Sequence, residues 1–252
     1  MPTRATSCLT NPESCPLAGT RRRACMSCIR KTQPHLHGRP PRRACAARLV
    51  KMPESHYFTS APTGPLKMRA VRVRAAGVVL SMASGAGTFS RDGLDAGTKL
   101  LLETFLSRAP SGPQCWLDLG CGWGAVGCVL GCARPDCRIL ACDINRRAAR
   151  LAAGNARDNE VALHAWCGDG AGALRAAVCD AVLCNPPVRA GNPTIAKLFD
   201  DSFRILKPGG TLWVVLRTAQ GAKSWATKLE TQFGSCRTVS IENGFRILVA
   251  TR

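Results

Sequence analysis

The chain has 252 residues, enough for one large α/β domain with a buried core, and this length excludes a disulfide-stapled miniature. It carries 35 Lys and Arg against 16 Asp and Glu, a formal charge of +19, which favours a nucleic-acid partner over a neutral metabolite. No apolar run approaches the roughly 20 residues of a membrane span, so we expect a soluble protein without a membrane partner.

Residues 1–51 are rich in Arg, Pro, Cys and Ala, without helical or strand periodicity, and are predicted to be a disordered extension. Eleven basic residues and one acidic residue give this segment about half of the net charge. Cys25-x-x-Cys28 and the histidines after it form an incomplete zinc pattern, so no metal is expected. A transit peptide and a true translation start at Met52 remain alternative interpretations.

Residues 52–89 are predicted to form a β-hairpin extension ahead of the main domain. Apolar and basic residues alternate over 66–74 with one phase slip, and an apolar run resumes after Gly77, which indicates a hairpin with a bulge. The polar side would face either RNA or only water, and it would carry Lys67, Arg69, Arg72 and Arg74.

Residues 90–252 alternate helical and strand patterns in a regular order. The first helix is expected to begin near Ser90 and Asp92 and to end before Pro110, with Leu100, Leu101 and Phe105 facing inward. A short helical stretch is expected after Gly170. This order predicts a doubly wound, Rossmann-like α/β domain with a mostly parallel seven-stranded sheet.

The last two predicted strands flank Asn243-Gly244, a strong signal for a tight turn, so the sheet should end in a C-terminal antiparallel hairpin. The 15 cysteines do not form a disulfide pattern, because their number is odd and several of them lie in or beside predicted central strands: Cys115, Cys142, Cys179 and Cys184. They predict a reducing, cytoplasmic location.

The first strand of the domain ends in a glycine-rich turn, and a helix follows at once. The turn has glycines at alternate positions, Gly120, Gly122 and Gly124, which let the backbone turn sharply and approach a ligand closely. The same stretch fits a dinucleotide pattern. However, Asp118 would repel a pyrophosphate, whereas it could bind the ammonium group of S-adenosylmethionine, a cofactor without phosphate.

The next two strands also end in acidic residues. Asp143 is placed to accept hydrogen bonds from both ribose hydroxyls. Asp169 could accept one from the adenine amino group, although a turn aspartate is an equal interpretation of it. At the ends of three successive strands, Asp118, Asp143 and Asp169 together predict one cofactor site.

The fourth strand runs into Asn185-Pro186-Pro187, whose backbone is restricted by the two prolines. This loop would present the Asn185 side-chain carbonyl and the Pro186 main-chain carbonyl side by side. Two fixed acceptors can grip the N–H groups of a conjugated exocyclic amine and aim its lone pair at a methyl donor. The two residues are therefore the candidate catalytic groups.

The stretch from about His56 to the C terminus resembles the bacterial small-subunit ribosomal RNA guanine-N2 methyltransferase (RsmC-like) family of class I methyltransferases. The resemblance covers about four-fifths of the chain. It rests on GTFSRDGLDAGTKLLLE, DLGCGWGAVG, DINRRAARLAAGNARDN, LCNPPVRAG and LKPGGTLWVVL.

This resemblance implies that the three acidic residues, the glycines and Asn185 bind S-adenosylmethionine, and that Asn185 and Pro186 hold the target amine. It also implies that Phe89 and Asp95 close the pocket, and that Phe89, Pro187 and Val188 contact the substrate base.

The sequence therefore predicts an S-adenosylmethionine-dependent enzyme that methylates the exocyclic N2 of a guanine in ribosomal RNA. Two alternatives remain: a protein-glutamine N-methyltransferase, which would use the same Asn-Pro-Pro chemistry, and an RNA-binding module that has lost catalysis. An NAD-dependent oxidoreductase is disfavoured because no catalytic His or Tyr constellation is evident. The oligomeric state stays open.

Overall fold

A computed structural model describes residues 67–88, 90 and 92–252 of the chain. The predictions for residues 1–51, for the part of the hairpin extension before residue 67, and for Phe89 lie outside the described residues. The strands are β1 (Met68–Ala75), β2 (Val78–Gly85), β3 (Cys115–Leu119), β4 (Arg138–Asp143), β5 (Leu163–Cys167), β6 (Cys179–Cys184), β7 (Leu206–Arg217), β8 (Ser235–Glu242) and β9 (Phe245–Thr251). The helices are α1 (Ala96–Leu106), α2 (Ala125–Ala133), α3 (Arg146–Asp158), α4 (Asn192–Ile205) and α5 (Ala222–Phe233).

Strands β3 to β9 form one seven-stranded sheet in the order β5-β4-β3-β6-β7-β9-β8. The pairs from β5 to β7 are parallel, and β9 is antiparallel to both of its neighbours. The turn between β8 and β9 is the expected tight one, since Asn243 and Gly244 both have positive φ, 49° and 79°. The predicted α/β fold with its C-terminal hairpin is confirmed.

Helices cover both faces of this sheet. Successive residues of a strand point to opposite faces, so an apolar strand gives each face side chains that a helix can bury. On one face Phe105 of α1 packs edge-on against Trp116 and Trp213, with ring centroids 4.8 and 5.2 Å apart. On the other face Phe199 of α4 packs against Trp225 of α5 at 5.2 Å. The central strands β3, β4, β6, β7 and β9 are therefore largely buried, as their apolar runs predict, whereas the edge strands β5 and β8 are half-buried or exposed.

The β1–β2 hairpin is a separate two-stranded sheet with an unbroken register from Met68↔Gly85 to Ala75↔Val78, so the predicted bulge is wrong. Val71 and Val73 are buried, and Arg72 and Arg74 lie on the opposite, exposed face. Arg69 accounts for the phase slip. It points to the same side of the hairpin as Val71, but it is exposed and forms an ion pair with Asp92. The four basic residues therefore do not share one face.

Two predicted helix positions also differ from the structure. Helix α1 begins at Ala96, not near Ser90 and Asp92, because the Asp95 side chain accepts a hydrogen bond from the Thr98 N–H at 3.1 Å and caps the first turn. The segment after Gly170 consists of turns. Its polar backbone groups are satisfied by α4 side chains, since Arg204 donates to the carbonyls of Ala171 and Leu174 at 2.8 and 2.7 Å.

Helix α3 binds the edge of the hairpin that β1 leaves free. Asn155 makes two hydrogen bonds with the backbone of Ala83 in β2, donating to its carbonyl at 2.8 Å and accepting from its N–H at 2.6 Å. Asn145 and Asn159 donate to Gly87 and Ser81 carbonyls farther along the same edge. These side chains take the place of a third strand and fix the hairpin beside the domain.

Candidate active site

A cavity opens at the carboxyl ends of β3, β4, β5 and β6. It lies where the strand order reverses between β3 and β6, the place at which parallel α/β sheets bind ligands. The structure brings nine of the predicted site residues to this cavity: Asp95, Asp118, Gly120, Gly122, Asp143, Asp169, Asn185, Pro186 and Pro187. Gly124 and Val188 are not among the described residues that line it.

Asp118 lies at the end of β3, fully within the protein, and faces the start of α2. Its carboxylate accepts a hydrogen bond from the Gly127 N–H, in the first turn of that helix, at 3.0 Å. The pKa of this carboxyl is raised to about 7, because the increase from burial, with a smaller one from the nearby Asp143, outweighs the lowering by the Gly127 hydrogen bond. A buried carboxylate is costly to ionise without a positively charged partner, so this position favours a cationic ligand.

Asp143, at the end of β4, anchors the glycine loop. Its two oxygens accept hydrogen bonds from the N–H groups of Gly122 and Asn145, both at 2.8 Å. Burial raises the pKa of this carboxyl, while the two backbone bonds oppose the shift. Each oxygen keeps a second lone pair for a ligand, which fits the predicted contact with ribose hydroxyls.

Asp169 lies at the exposed rim of the cavity, where Lys197 of α4 holds it. The Lys197 Nζ is 3.3 Å from the Asp169 carboxylate and 2.8 Å from its main-chain carbonyl. Lys197 also approaches Asp201 at 3.4 Å. Sequence reasoning missed Lys197, whose place on an ordinary helix face gives no signal of this contact.

The three glycines of the loop have positive φ, but they differ in what surrounds them. At Gly120 and Gly122 the space beside the backbone is open, and both residues line the cavity. A Cβ on Gly124 would lie 2.7 Å from the Cα and Cβ of Ala152 in α3. Gly124 thus serves the close packing of the loop on α3, and its predicted cofactor contact finds no support in the cavity lining.

The Asn185-Pro186-Pro187 loop follows β6 and forms one wall of the cavity. The Asn185 Nδ2 donates to the Thr98 Oγ1 at 2.8 Å, and no described residue donates a hydrogen bond to the Asn185 Oδ1. The Pro186 carbonyl accepts from the Val188 N–H at 2.9 Å, which leaves it one lone pair. Val188 begins a 3-10 turn and packs against the apolar side of the sheet covered by α4 and α5.

Thr98 is a cavity residue that sequence reasoning did not select as a contact, and Trp123 also lines the cavity. Thr98 is buried in the first turn of α1 and lines the cavity. Trp123 supplies the only aromatic ring among the described lining residues. Thr98 lies within GTFSRDGLDAGTKLLLE, one of the stretches on which the resemblance rests, but nothing in this stretch indicates a contact with Asn185.

The lining of the cavity fits S-adenosylmethionine better than a dinucleotide. A dinucleotide places its pyrophosphate at the helix N-terminus after the first strand. Here the Asp118 carboxylate occupies that position and accepts the Gly127 N–H, so an anion would be repelled. The buried Asp118 carboxylate, the half-buried Asp143 carboxylate, the glycine loop and apolar walls suit a ligand with an ammonium group, a sulfonium and a nucleoside.

The described part of the chain gives little support to a metal site, a disulfide or a membrane-spanning helix. Within it no three His, Cys, Asp or Glu side chains are grouped so that they could hold a metal ion. All ten of its cysteines are free thiols. The longest of its helices has 14 residues, and none combines the length and apolar character of a membrane span.

Comparison with known proteins identifies relatives over most of the chain. Residues 79–249 match the family described as methyltransferase small domain. The uncharacterized protein YbxB of Bacillus subtilis (strain 168) is 31% identical over 199 residues, which cover 78% of this chain and 98% of YbxB. Ribosomal RNA large subunit methyltransferase G of Streptomyces coelicolor is 35% identical over 173 residues, 66% of this chain and 45% of that protein.

Ribosomal RNA small subunit methyltransferase C of Hahella chejuensis is 32% identical over 170 residues, which cover 66% of this chain and 48% of that protein. The chain thus spans about half the length of the ribosomal RNA methyltransferases that it matches. Among solved structures, a T. thermophilus 16S rRNA N2 methyltransferase (RsmC) in complex with AdoMet and guanosine has a TM-score of 0.68 at 23% identity, covering 76% of this chain and 52% of that chain.

The structural likeness shows the class I methyltransferase fold, and the sequence match extends over more than half of the chain. The chain therefore belongs to the methyltransferase small-domain family, whose methyl donor is S-adenosylmethionine.

Proposed function

We propose that this chain methylates the exocyclic N2 of a guanine in ribosomal RNA. The observation that carries the proposal is the Asn185 Oδ1, which no described residue hydrogen-bonds, on the wall of a cavity that also contains Asp118 and Asp143. A hydrogen-bond acceptor for an amine and a binding site for a cationic methyl donor thus share one cavity.

S-adenosylmethionine supplies an electrophilic methyl group. The residues of this chain prepare the nucleophile: Asn185 Oδ1 and the Pro186 carbonyl accept hydrogen bonds from the two N–H groups of the amine. A conjugated amine is a poor nucleophile, and this grip directs its lone pair toward the donor without a strong base. Asp118 and Asp143 hold the cationic cofactor in the interior, where burial strengthens their attraction.

Three findings support RNA as the substrate. The relatives with assigned activities are named ribosomal RNA methyltransferases, and the T. thermophilus structural neighbour holds guanosine. The chain is strongly basic, and the residues after 51 still carry 24 basic against 15 acidic side chains. A target guanine would enter this cavity unpaired, either in a single strand or flipped from a duplex.

The contacts of Phe89, Pro187 and Val188 with the base remain part of this proposal. Pro187 lines the cavity and Val188 does not, and the Trp123 ring, which also lines it, is only 3% exposed, so it offers a base little area for stacking. The free thiols support a reducing, cytoplasmic setting, in which ribosomal RNA is available.

The test compares modified nucleosides in total ribosomal RNA from cells with and without this gene by mass spectrometry. Loss of N2-methylguanosine at one site is expected. Loss of a different methylated nucleoside would change the substrate but keep the chemistry. An unchanged nucleoside set, together with transfer of labelled methyl groups to a protein glutamine, would favour the protein-directed alternative.

Asn185→Ala tests the mechanism. We expect kcat to fall about 10²–10³-fold with little change in KM, because the lost acceptor acts mainly in the transition state. Single-turnover transfer of a labelled methyl group, beside RNA binding at fixed salt, measures both quantities. Asn192→Ala, an exposed asparagine outside the cavity, is the matched control. Full activity of Asn185→Ala would refute the proposed mechanism.

A further inference from the structure

The side chains of Asn185, Thr98 and Asp95 form a series of hydrogen bonds that reaches the first turn of α1. The Thr98 Oγ1 lies 2.8 Å from Asn185 Nδ2 and 2.5 Å from Asp95 Oδ2. Asp95 accepts a further hydrogen bond from the Thr98 N–H as the helix cap. The contact joins residues 87 positions apart in sequence, so it is made by the fold and not by a local motif.

The chemistry of the three groups permits only one direction of hydrogen bonding. A carboxylate only accepts, so the Thr98 hydroxyl donates its single proton to Asp95. The Thr98 oxygen then offers only a lone pair to Asn185, and the amide must turn its NH2 group toward Thr98. The Asn185 Oδ1 is thereby directed away from Thr98 and left for another donor.

We propose that Thr98 and Asp95 are positioning residues that fix the orientation of the Asn185 amide, so that its oxygen faces the target amine. This inference rests on the proposed function, because it takes Asn185 as the group that holds the amine. An amide rotated by 180° has nearly the same shape but presents NH2 to NH2, and two donors cannot bond. This relay of hydrogen bonds, from Asn185 through Thr98 to Asp95, keeps the amide in the productive orientation before the substrate arrives.

Thr98→Val is the first test, because valine keeps the shape of threonine and removes the hydroxyl. We expect kcat to fall about 10-fold or more, with unchanged KM and unchanged affinity for S-adenosylmethionine. Thr98→Ser keeps the hydroxyl and should restore most of kcat. The matched control is Thr104→Val, since Thr104 is buried on the same helix but does not line the cavity.

Asp95→Asn tests the direction of the relay. Asparagine is also a good helix cap, so the stability of α1 should be preserved. Its amide can donate to the Thr98 oxygen, which lets the Thr98 hydroxyl donate toward Asn185 and allows the Asn185 amide to reverse. We expect a lower kcat at an unchanged melting temperature, and no further loss when Thr98→Val is added.

A second readout does not depend on activity. In protein labelled with ¹⁵N-asparagine, the Asn185 side-chain resonances are identified by their absence in Asn185→Ala. Hydrogen exchange of this NH2 group should be at least about 10-fold faster in Thr98→Val than in the wild type or in Thr98→Ser, because its hydrogen-bond acceptor is gone.

Several results would overturn the relay. These are full kcat in Thr98→Val, equally slow exchange of the Asn185 NH2 group in that variant, or weaker cofactor binding at unchanged kcat, which would make Thr98 a cofactor contact. If Asn185→Ala itself keeps full activity, the proposed function fails instead. The exchange measurement then still decides whether Thr98 orients the Asn185 amide.

Discussion

At the scale of single residues, the proposed cofactor contact at Asp118 comes with a cost to stability. Its pKa is raised to about 7 chiefly by burial, whereas an unfolded chain has the ordinary aspartate value near 4. The folded state therefore binds the proton more tightly. Its contribution to stability is fully present below about pH 4 and is lost as the pH rises through 7.

Asp118→Asn should therefore raise the melting temperature of the cofactor-free protein at pH 8 and flatten its decline between pH 5 and 8. The amide oxygen can still accept the Gly127 N–H. The same change should weaken S-adenosylmethionine binding, because the neutral amide no longer attracts an ammonium group. Thermal unfolding and calorimetry measure the two effects, with the exposed Asp158→Asn as control. A lower melting temperature at pH 8 would contradict the assignment.

The wild-type affinity for S-adenosylmethionine should rise with pH between 6 and 8. Below pH 7 Asp118 is mostly protonated, so the cationic cofactor must displace a proton in order to bind. Below pH 7 the affinity should increase by up to about tenfold per pH unit, and it should level off above pH 8. A pH-independent affinity would show that the cofactor does not contact this carboxylate.

At the scale of elements, Asn155 joins the hairpin to the glycine loop. Besides its two bonds with Ala83, its Nδ2 donates to the Trp123 carbonyl at 2.8 Å. Asn155→Ala removes three hydrogen bonds to backbone groups and should cost about 2–4 kcal/mol in the free energy of unfolding. Asn159→Ala, which removes a more exposed bond to Ser81, should cost less than about 1 kcal/mol.

Denaturant unfolding measures both costs, and hydrogen exchange at the Ala83 amide reports whether the hairpin has come loose. An equal cost for the two variants would indicate that the hairpin is held by its apolar face alone.

Sequence reasoning succeeded for contacts that are local and failed for contacts between distant segments. The glycine turn, Asp143 and the Asn-Pro-Pro loop each follow an apolar strand within a few residues, so their common edge could be deduced from the parallel order of the strands. The Thr98–Asn185 and Asn155–Ala83 bonds span 87 and 72 residues and leave no periodic trace. The start of α1 was misplaced because Ser90, Asp92 and Asp95 are all good caps, and only packing selects Asp95.

At the scale of the whole molecule, the basic charge is divided about equally between residues 1–51 and the rest. A chain that starts at Met52 should keep its affinity for S-adenosylmethionine, since the described cavity uses no residue before 88. Compared with the full chain, its RNA affinity should be reduced most at low salt and less near 200 mM salt. The logarithm of its RNA-binding constant should therefore depend less steeply on the logarithm of the salt concentration.

Filter binding over a salt series measures this, and Arg21, Arg22 and Arg23 changed together to serine in the full chain provide a control that keeps the length. A shortened chain that fails to bind the cofactor would show that the domain boundary at residue 52 is wrong.

Strand β9 has a consequence for how the sheet assembles. It follows β8 in the chain but lies between β7 and β8, and β7 and β8 do not pair directly. Until β9 is in place, β7 exposes a free apolar edge, and β8 has no partner in the sheet. An unpaired apolar edge is a template for intermolecular pairing. Insertion of β9 should therefore be a late folding step on which resistance to aggregation depends, and slow refolding of this protein should be limited by its C-terminal strand.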